Sequence, residues 1–476
     1  MPIFPFAPTT ALALLSERAA SPRLPVPHAA YNFSSTNSSS NSSSPSPSSN
    51  YTLVDLFNAQ NFFSEFAFFN GPSDPTHGFV QYVSDYQTAT DTGLVGYAPD
   101  GVMLGVHYIN KYISSSFSSS KNAASPHGRP SVRVTFKKTY TEGLFIADIY
   151  HMPSGLYDHD DDGTYKSSRD DSSSCGLWPA FWTFGPNWPA SGEIDILEGV
   201  NTQSTNSITL HTSGTKSTKK GSEGGGTCNI SSTGSSASDT KLADADCASN
   251  TGCKQDTTTG HGSSDGGVGK NGTGNNYRVG FNKGGGGIYA VEWWSSSDVV
   301  VVGSGDGGGN HDSSSGDGGG ENKDKGGGST GFIKVWFFPR GSDLATKLAG
   351  NTTTTTTTTT RGIASSYSSS SSKNMTAGGV VSSATPGADP SNFGTPLAAF
   401  VFDRGCSLRD HFKNHSIVFN TAFCGDWAGA VWDKNPTCKG LAKKCEDYVG
   451  ANPGQFKEAY WVVNSIKVYQ RHGRKS

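Results

Sequence analysis

The stretch Gly192-Glu193-Ile194-Asp195-Ile196-Leu197-Glu198-Gly199 sets three carboxylates among aliphatic residues. Along an extended chain alternate side chains share a face, so Glu193 and Asp195 point one way while Ile194 and Ile196 point into a core. Glu198 falls out of phase; one extra residue, a β-bulge, returns it to the face of Glu193 and Asp195. Such a row suits glycoside hydrolysis, in which one carboxylate attacks the anomeric carbon and a protonated partner donates to the departing oxygen. Same-face neighbours start roughly 6.6 Å apart, from a rise of about 3.3 Å per residue. Leaning side chains and bulge curvature bring Glu193 and Glu198 toward the ~5–5.5 Å separation of a retaining enzyme. The charge of Asp195 between them raises at least one pKa and keeps a proton on the coupled group near neutral pH. From the spacing alone, an exposed strand with a solvated acidic face is the competing reading.

The elements that position these acids begin just upstream. Trp178, Phe181, Trp182, Phe184 and Trp188 supply aromatic surfaces of the kind on which the apolar face of a sugar ring stacks. Residues 175–201, CGLWPAFWTFGPNWPASGEIDILEGVN, resemble the active-site segment of glycoside hydrolase family 16, in its fungal endo-1,3(4)-β-glucanase (laminarinase-like) branch. The Glu-x-Asp-x-x-Glu pattern is that family's bulged form. Asp74–Val83, Gly143–Ile149, Thr209–Ser213, Val335–Arg340, Phe423–Gly429 and Ala459–Ile466 are similar to segments of the same branch in the same order. The resemblance therefore spans nearly everything from Tyr51 to Tyr469, inserts apart.

The resemblance implies an all-β, concanavalin-like jelly-roll sandwich of two antiparallel sheets, with a β-glucan substrate along the concave face. It implies a retaining endo-β-glucanase acting on β-1,3 or mixed-linkage β-1,3/1,4 glucans, with no metal and no organic cofactor. Carried over residue by residue, it makes Glu193 the nucleophile, Glu198 the general acid/base, and Asp195 the residue that holds and tunes them. His211 matches a histidine near the acids, Trp182 and Trp188 look like sugar platforms, and Trp427 is a further candidate for the cleft. Trp178 fits core or cleft equally, and a lone histidine or tryptophan is also an ordinary core residue. Two other functions remain open: a β-glucan-binding lectin-like protein without hydrolysis, and a transglycosylase using the same residues.

The rest of the chain agrees with short strands. Val132, Val134 and Phe136 alternate with polar neighbours, as do Ile208 and Leu210 before His211. Similar runs at 287–294, 332–338, 416–419 and 460–469 are separated by Gly, Pro, Asn and Asp, a pattern for two packed antiparallel sheets. The catalytic domain is read as 51–476, with low-complexity inserts at about 295–330 and 351–385. Residues 1–50 form a leader and a Ser/Asn/Pro tract too poor in apolar surface to offset the entropy of ordering.

Charge and composition exclude several classes. A net charge of −3, without a basic arm or phosphate-cradling loop, argues against a nucleic-acid partner. No apolar run reaches the length of about 18 residues that spans a membrane. Asp158, Asp160, Asp162 and Gly163 begin like a calcium loop, but Arg169 stands where the closing Glu is needed, so a solvated acidic insertion is expected. Eight cysteines without a Cys-x-x-Cys pair fit disulfides in an oxidised compartment rather than a metal site. The expectation is a secreted or cell-wall-associated monomer, and Asn-x-Ser/Thr sequons such as Asn229 and Asn414 would accept glycans there. The apolar run 11–15 lacks a charged leader and precedes Glu17 and Arg18, which makes it a poor signal peptide and leaves two readings, an atypical leader or a non-secreted start.

Overall fold

The computed structural model describes residues 51–112, 128–156, 171–214, 240–249, 251–257, 276–300, 329–350, 388–402 and 406–471. The expected N-terminal tract, the acidic run at 158–169, most of both inserts and Cys228 lie outside the described residues. In chain order the first strands are β1 (Tyr51–Asn58), β2 (Phe66–Phe68), β3 (Val80–Tyr82), β4 (Val95–Ala98), β5 (Gly101–Leu104) and β6 (Arg129–Ser131). There follow β7 (Arg133–Phe136), β8 (Gly143–His151), β9 (Leu177–Phe184), β10 (Glu193–Glu198), β11 (Ser207–His211) and β12 (Thr240–Asp244). The last are β13 (Cys253–Thr257), β14 (Gly287–Val300), β15 (Ser329–Pro339), β16 (Ala398–Phe402), β17 (Ser416–Phe423) and β18 (Trp461–Arg471).

They form the expected sandwich. One eight-stranded sheet runs β12-β13-β11-β10-β9-β17-β7-β2; the other runs β16-β15-β14-β8-β18-β5-β4, with β1 also paired to β18. A small parallel pair, β3 and β6, lies apart. Phe181, Ile194, Leu197, Leu210 and Phe419 of the first sheet share one core with Phe145, Val291, Trp293, Val335 and Ile466 of the second. Burial of these apolar faces drives the two sheets together, at about 25 cal/mol per Å² removed from water. The second sheet is covered on its outer side too, where Ile146, Ile288, Ala290, Trp336 and Phe338 pack with Ala345 and Leu348 of the helix Asp343–Ala349. Strands covered on both faces read as continuous apolar runs.

Strand β14 is longer than the sequence suggests. It continues to Val300, pairing Ser295 with Gly331 and Val300 with Ser329 across a register shift. The serine-rich stretch carries no apolar alternation, so the pairing of its backbone with β15 decides its conformation.

A second core, containing Leu177, Phe423, Trp432, Tyr448, Val449 and Phe456, gathers the C-terminal segment against the start of β9. The disulfides Cys175–Cys438 and Cys424–Cys445 staple it there, and Cys247–Cys253 closes the turn before β13. Among the described residues no helix is long and apolar enough to cross a membrane.

Candidate active site

The three carboxylates share a face because β10 is bulged. Asp195 stands opposite Trp182 of β9, Leu197 opposite Phe181 and Glu198 opposite Ala180, so Ile196 is the additional residue. Ala180, Trp182 and Phe184 alternate onto one side, and Glu198, Asp195 and Glu193 follow them. The bulge leaves backbone groups without ladder partners, and buried Asn206 takes both: its Oδ1 accepts from Glu198 N at 2.8 Å and its Nδ2 donates to Ile196 O at 2.8 Å. The flanking glycines are required sterically. Gly192 has φ +83, and a Cβ there would come within 2.6 Å of His411 O. A Cβ on Gly199 would lie 2.7 Å from the Tyr277 hydroxyl.

Around the acids, each expected residue has a definite place. Trp178, half-buried, donates its indole N–H to Glu198 Oε1 at 2.7 Å, which resolves the core-or-cleft alternative in favour of the cleft. Trp182 donates to Asn420 Oδ1 at 2.7 Å, and Asn420 Nδ2 donates to the Tyr82 hydroxyl at 3.2 Å. Trp188 is 59% exposed and close enough to Glu193 to oppose the rise of its pKa. His211 lies opposite Glu193 on β11, its Nε2 3.5 Å from Asp195 Oδ2. Trp427 meets Trp178 edge-on, with ring centroids 5.7 Å apart.

Sequence reasoning missed Arg133, Asn206, Lys254 and Asn420. The Arg133 guanidinium lies 4.7 Å from the Phe69 ring and 5.0 Å from that of Trp182, a cation packed between two aromatic faces. Arg133 falls in the alternating run at 132–136, where a polar residue between valines marks the solvent or site face. Nothing local distinguishes the other three.

Burial dominates the electrostatics. It pushes Glu193 up to about 8, with repulsion from Glu198 second, while hydrogen bonds to Trp188 and Asp195 oppose the rise. Glu198 is pushed up to about 7 by burial, against the Trp178 hydrogen bond and the charge of Lys254. Asp195, 3% exposed, is raised well above the usual carboxylate range by burial and then by both glutamates. Taken singly, a higher value for Glu193 than for Glu198 is the reverse of what a nucleophile and an acid need. The protons belong to the set, however, and Asp195 is the most deeply buried member. A protonated Asp195 donates to Glu193, which favours the anion on Glu193 and leaves a proton for Glu198. His211 is pushed down to about 4 by burial and stands neutral beside Asp195. Glu193, Asp195 and His211 also offer ligand atoms all within 4.8 Å of one another, a donor set able to hold a divalent cation. Chemically, the strand provides a carboxylate, a carboxylic acid and a shared proton beside aromatic surfaces.

Comparison with known proteins follows the same lines. A family model described as the XgeA-like catalytic domain of glycoside hydrolase family 16 matches residues 66–158, 170–302 and 376–469. A probable endo-1,3(4)-β-glucanase of Aspergillus niger is 33% identical over 429 residues, 89% of this chain and 40% of that protein. The endo-1,3(4)-β-glucanase XgeA of Emericella nidulans is 31% identical over 434 residues, 90% of this chain and 48% of that protein. The chain thus spans less than half the length of these two relatives. Among solved structures, laminarinase 16A from Phanerochaete chrysosporium, with β-glucans in donor and acceptor sites, is 28% identical with a TM-score of 0.56, covering 88% of this chain and 99% of that one. An elongating family 16 β-1,3-glucosyltransferase is 30% identical with a TM-score of 0.55, covering 88% of this chain and 100% of that one.

Proposed function

The chain belongs to glycoside hydrolase family 16, and from that premise we propose that it is an endo-acting, retaining β-glucanase of β-1,3 and mixed-linkage β-1,3/1,4 glucans. The observation that carries this reading is the bulged strand β10, which turns Glu193, Asp195 and Glu198 to one face and loads them with protons by burial. Glu198 protonates the glycosidic oxygen as Glu193 attacks the anomeric carbon; the C–O bond breaks and a glycosyl-enzyme ester forms. Glu198, now a carboxylate, takes a proton from water, which attacks the same carbon and releases Glu193. Once the row has lost its first proton, near neutral pH, Asp195 favours the anion on Glu193 by donating to it. Trp182 and Trp188 supply stacking surfaces for the sugar units on one side of the broken bond. The chemistry needs no metal or organic cofactor.

Transfer to a sugar hydroxyl instead of water is the second reading, favoured by the likeness to the β-1,3-glucosyltransferase. We also propose that the protein acts outside the cell or in the wall, a location that the disulfides support.

The test is proton NMR of the purified protein with laminarin and, separately, lichenan, recording the anomeric signal of new chain ends before mutarotation, with Glu193→Gln as control. Early β-anomer that the variant does not produce supports double displacement and ranks the two substrates. Early α-anomer would mean inversion and remove the nucleophile role from Glu193. Retention of glucan without new ends would favour the lectin-like alternative.

A further inference from the structure

Lys254 of β13 lies opposite Thr209 of β11, and Thr209 lies opposite Asp195 of β10. The three side chains therefore form one cross-strand row on the acid-bearing face. From there the ammonium reaches toward the Glu198 end of the site. Its Nζ is 5.9 Å from the Trp427 ring centroid, Trp427 meets Trp178, and Trp178 holds Glu198.

The cation is positioned but its donors are not used up. Asp256 Oδ1 stands 3.6 Å from Nζ, beyond hydrogen-bond length. Asp256 is itself fixed by the Ser207 hydroxyl at 2.7 Å, which accepts from Gln203 Nε2 at 2.8 Å. Among the described residues no acceptor lies at bonding distance from the ammonium, although the Lys254 side chain is only 27% exposed. Charged donors beside an aromatic face, with Asp256 at ion-pair distance but no acceptor at hydrogen-bond length among the described residues, match a neutral polyhydroxylated ring.

The side of the site follows from the chemistry. Trp182 and Arg133 lie on β9 and β7, to one side of β10, and Lys254 lies to the other. The sugar whose oxygen Glu198 protonates must sit against Glu198. We propose that Lys254, backed by Trp427, binds the glucosyl unit on the leaving-group side and afterwards the incoming acceptor sugar. This deepens the glucanase reading and rests on it. During transfer the acceptor hydroxyl oxygen bonds to the anomeric carbon, the ester bond to Glu193 breaks with its electron pair returning to that carboxylate, and the hydroxyl proton goes to Glu198. Water takes the same path when no sugar occupies the place, so Lys254 sets the partition between transfer and hydrolysis.

The experiment compares wild type, Lys254→Met and Lys254→Arg on laminaritetraose and on an aryl β-laminaribioside, whose departing group is a phenol and not a sugar. For Lys254→Met the expected loss in kcat/KM is about tenfold or more on laminaritetraose and below about threefold on the aryl substrate. Transfer products fall relative to hydrolysis, and Lys254→Arg restores most of both. Equal losses on the two substrates would make Lys254 a support of Glu198 or of the fold and overturn the proposal, as would no loss on either. A wild type that cleaves neither overturns the glucanase reading instead. Calorimetric titration with laminaritriose still reads Lys254 in that case: weaker binding to Lys254→Met supports the proposal, and equal affinity or no binding overturns it.

Discussion

The indole N–H of Trp178 donates to Glu198 Oε1 at 2.7 Å, so the carboxyl assigned to proton transfer is held by the ring that also meets Trp427. A donor to a carboxylate favours its ionised form and opposes the rise that burial imposes on Glu198. Trp178→Phe keeps an aromatic ring and removes the donor. The pKa of Glu198 then rises, and the alkaline limb of the kcat/KM profile, which reports loss of the acid proton, moves up by about half a unit to one unit. A profile that keeps its limbs while activity falls would assign Trp178 to packing alone.

Asn206 is fully buried and takes the two backbone groups that the bulge leaves free. Asn206→Ala strands an N–H and a C=O in a buried setting, at about 1–3 kcal/mol each. The expected result is a clear fall in Tm by calorimetry together with a loss of activity, because Glu198 drifts out of the row shared with Glu193. Asn206→Asp keeps an acceptor for Glu198 N and loses the donor to Ile196 O. Its Tm should fall between those of wild type and Asn206→Ala at mildly acidic pH, where burial keeps the new carboxyl protonated and uncharged.

The acid row and its bulge were legible because they are local: two glycines, a period of two and one extra residue fix which side chains share a face. Trp182 and His211 came from the family resemblance, and the pairing of β9 and β11 with β10 sets both beside the acids. Asn420 and Lys254 were not legible. Asn420 meets Trp182 across a separation of 238 residues, after the sheet order sets β17 beside β9. Lys254 reaches the acids through the register of β13 on β11. Neither carries a local motif, because a single polar residue on a strand acquires its neighbours only from long-range pairing. The extension of β14 to Val300 was hidden likewise, since backbone pairing with β15 and not side-chain alternation specifies it.

The separate roles of Glu193 and Glu198 can be read from chemical rescue. With an aryl β-glucoside chain as substrate, Glu198→Ala still forms the glycosyl-enzyme when the leaving group is activated, and azide then attacks from the face opposite Glu193. The product is a β-glycosyl azide, and the rate recovers with azide concentration. In Glu193→Ala, azide takes the place of the missing carboxylate and yields an α-glycosyl azide. Each variant should lose at least about 10²-fold in kcat without azide. Interchanged products in the NMR spectra would interchange the two assignments.

The acids and the buried histidines set opposing limits on stability. Burial pushes Glu193 and Glu198, which share their protons with Asp195, from 4.5 up to about 8 and about 7, so the native state binds more protons than the unfolded chain between those limits. The resulting stability is fully present below about pH 4.5 and is lost as pH rises through 7 and 8. His211 and His415 are pushed by burial from 6.5 down to about 4, so their contribution is present above 6.5 and is lost as pH falls through 4. Stability contributed by these four groups should therefore be greatest in the overlap, at mildly acidic pH. Glu193→Gln removes one buried carboxylate without changing its shape. It should raise Tm near pH 8.5, by a gain on the order of 1–2 kcal/mol, and have little effect near pH 5, where all three acids of the row hold their protons and no anion is buried. Thermal unfolding of both proteins across that range reads the difference directly. A Tm gain of equal size at both ends would mean that Glu193 destabilises the fold by shape and not by charge.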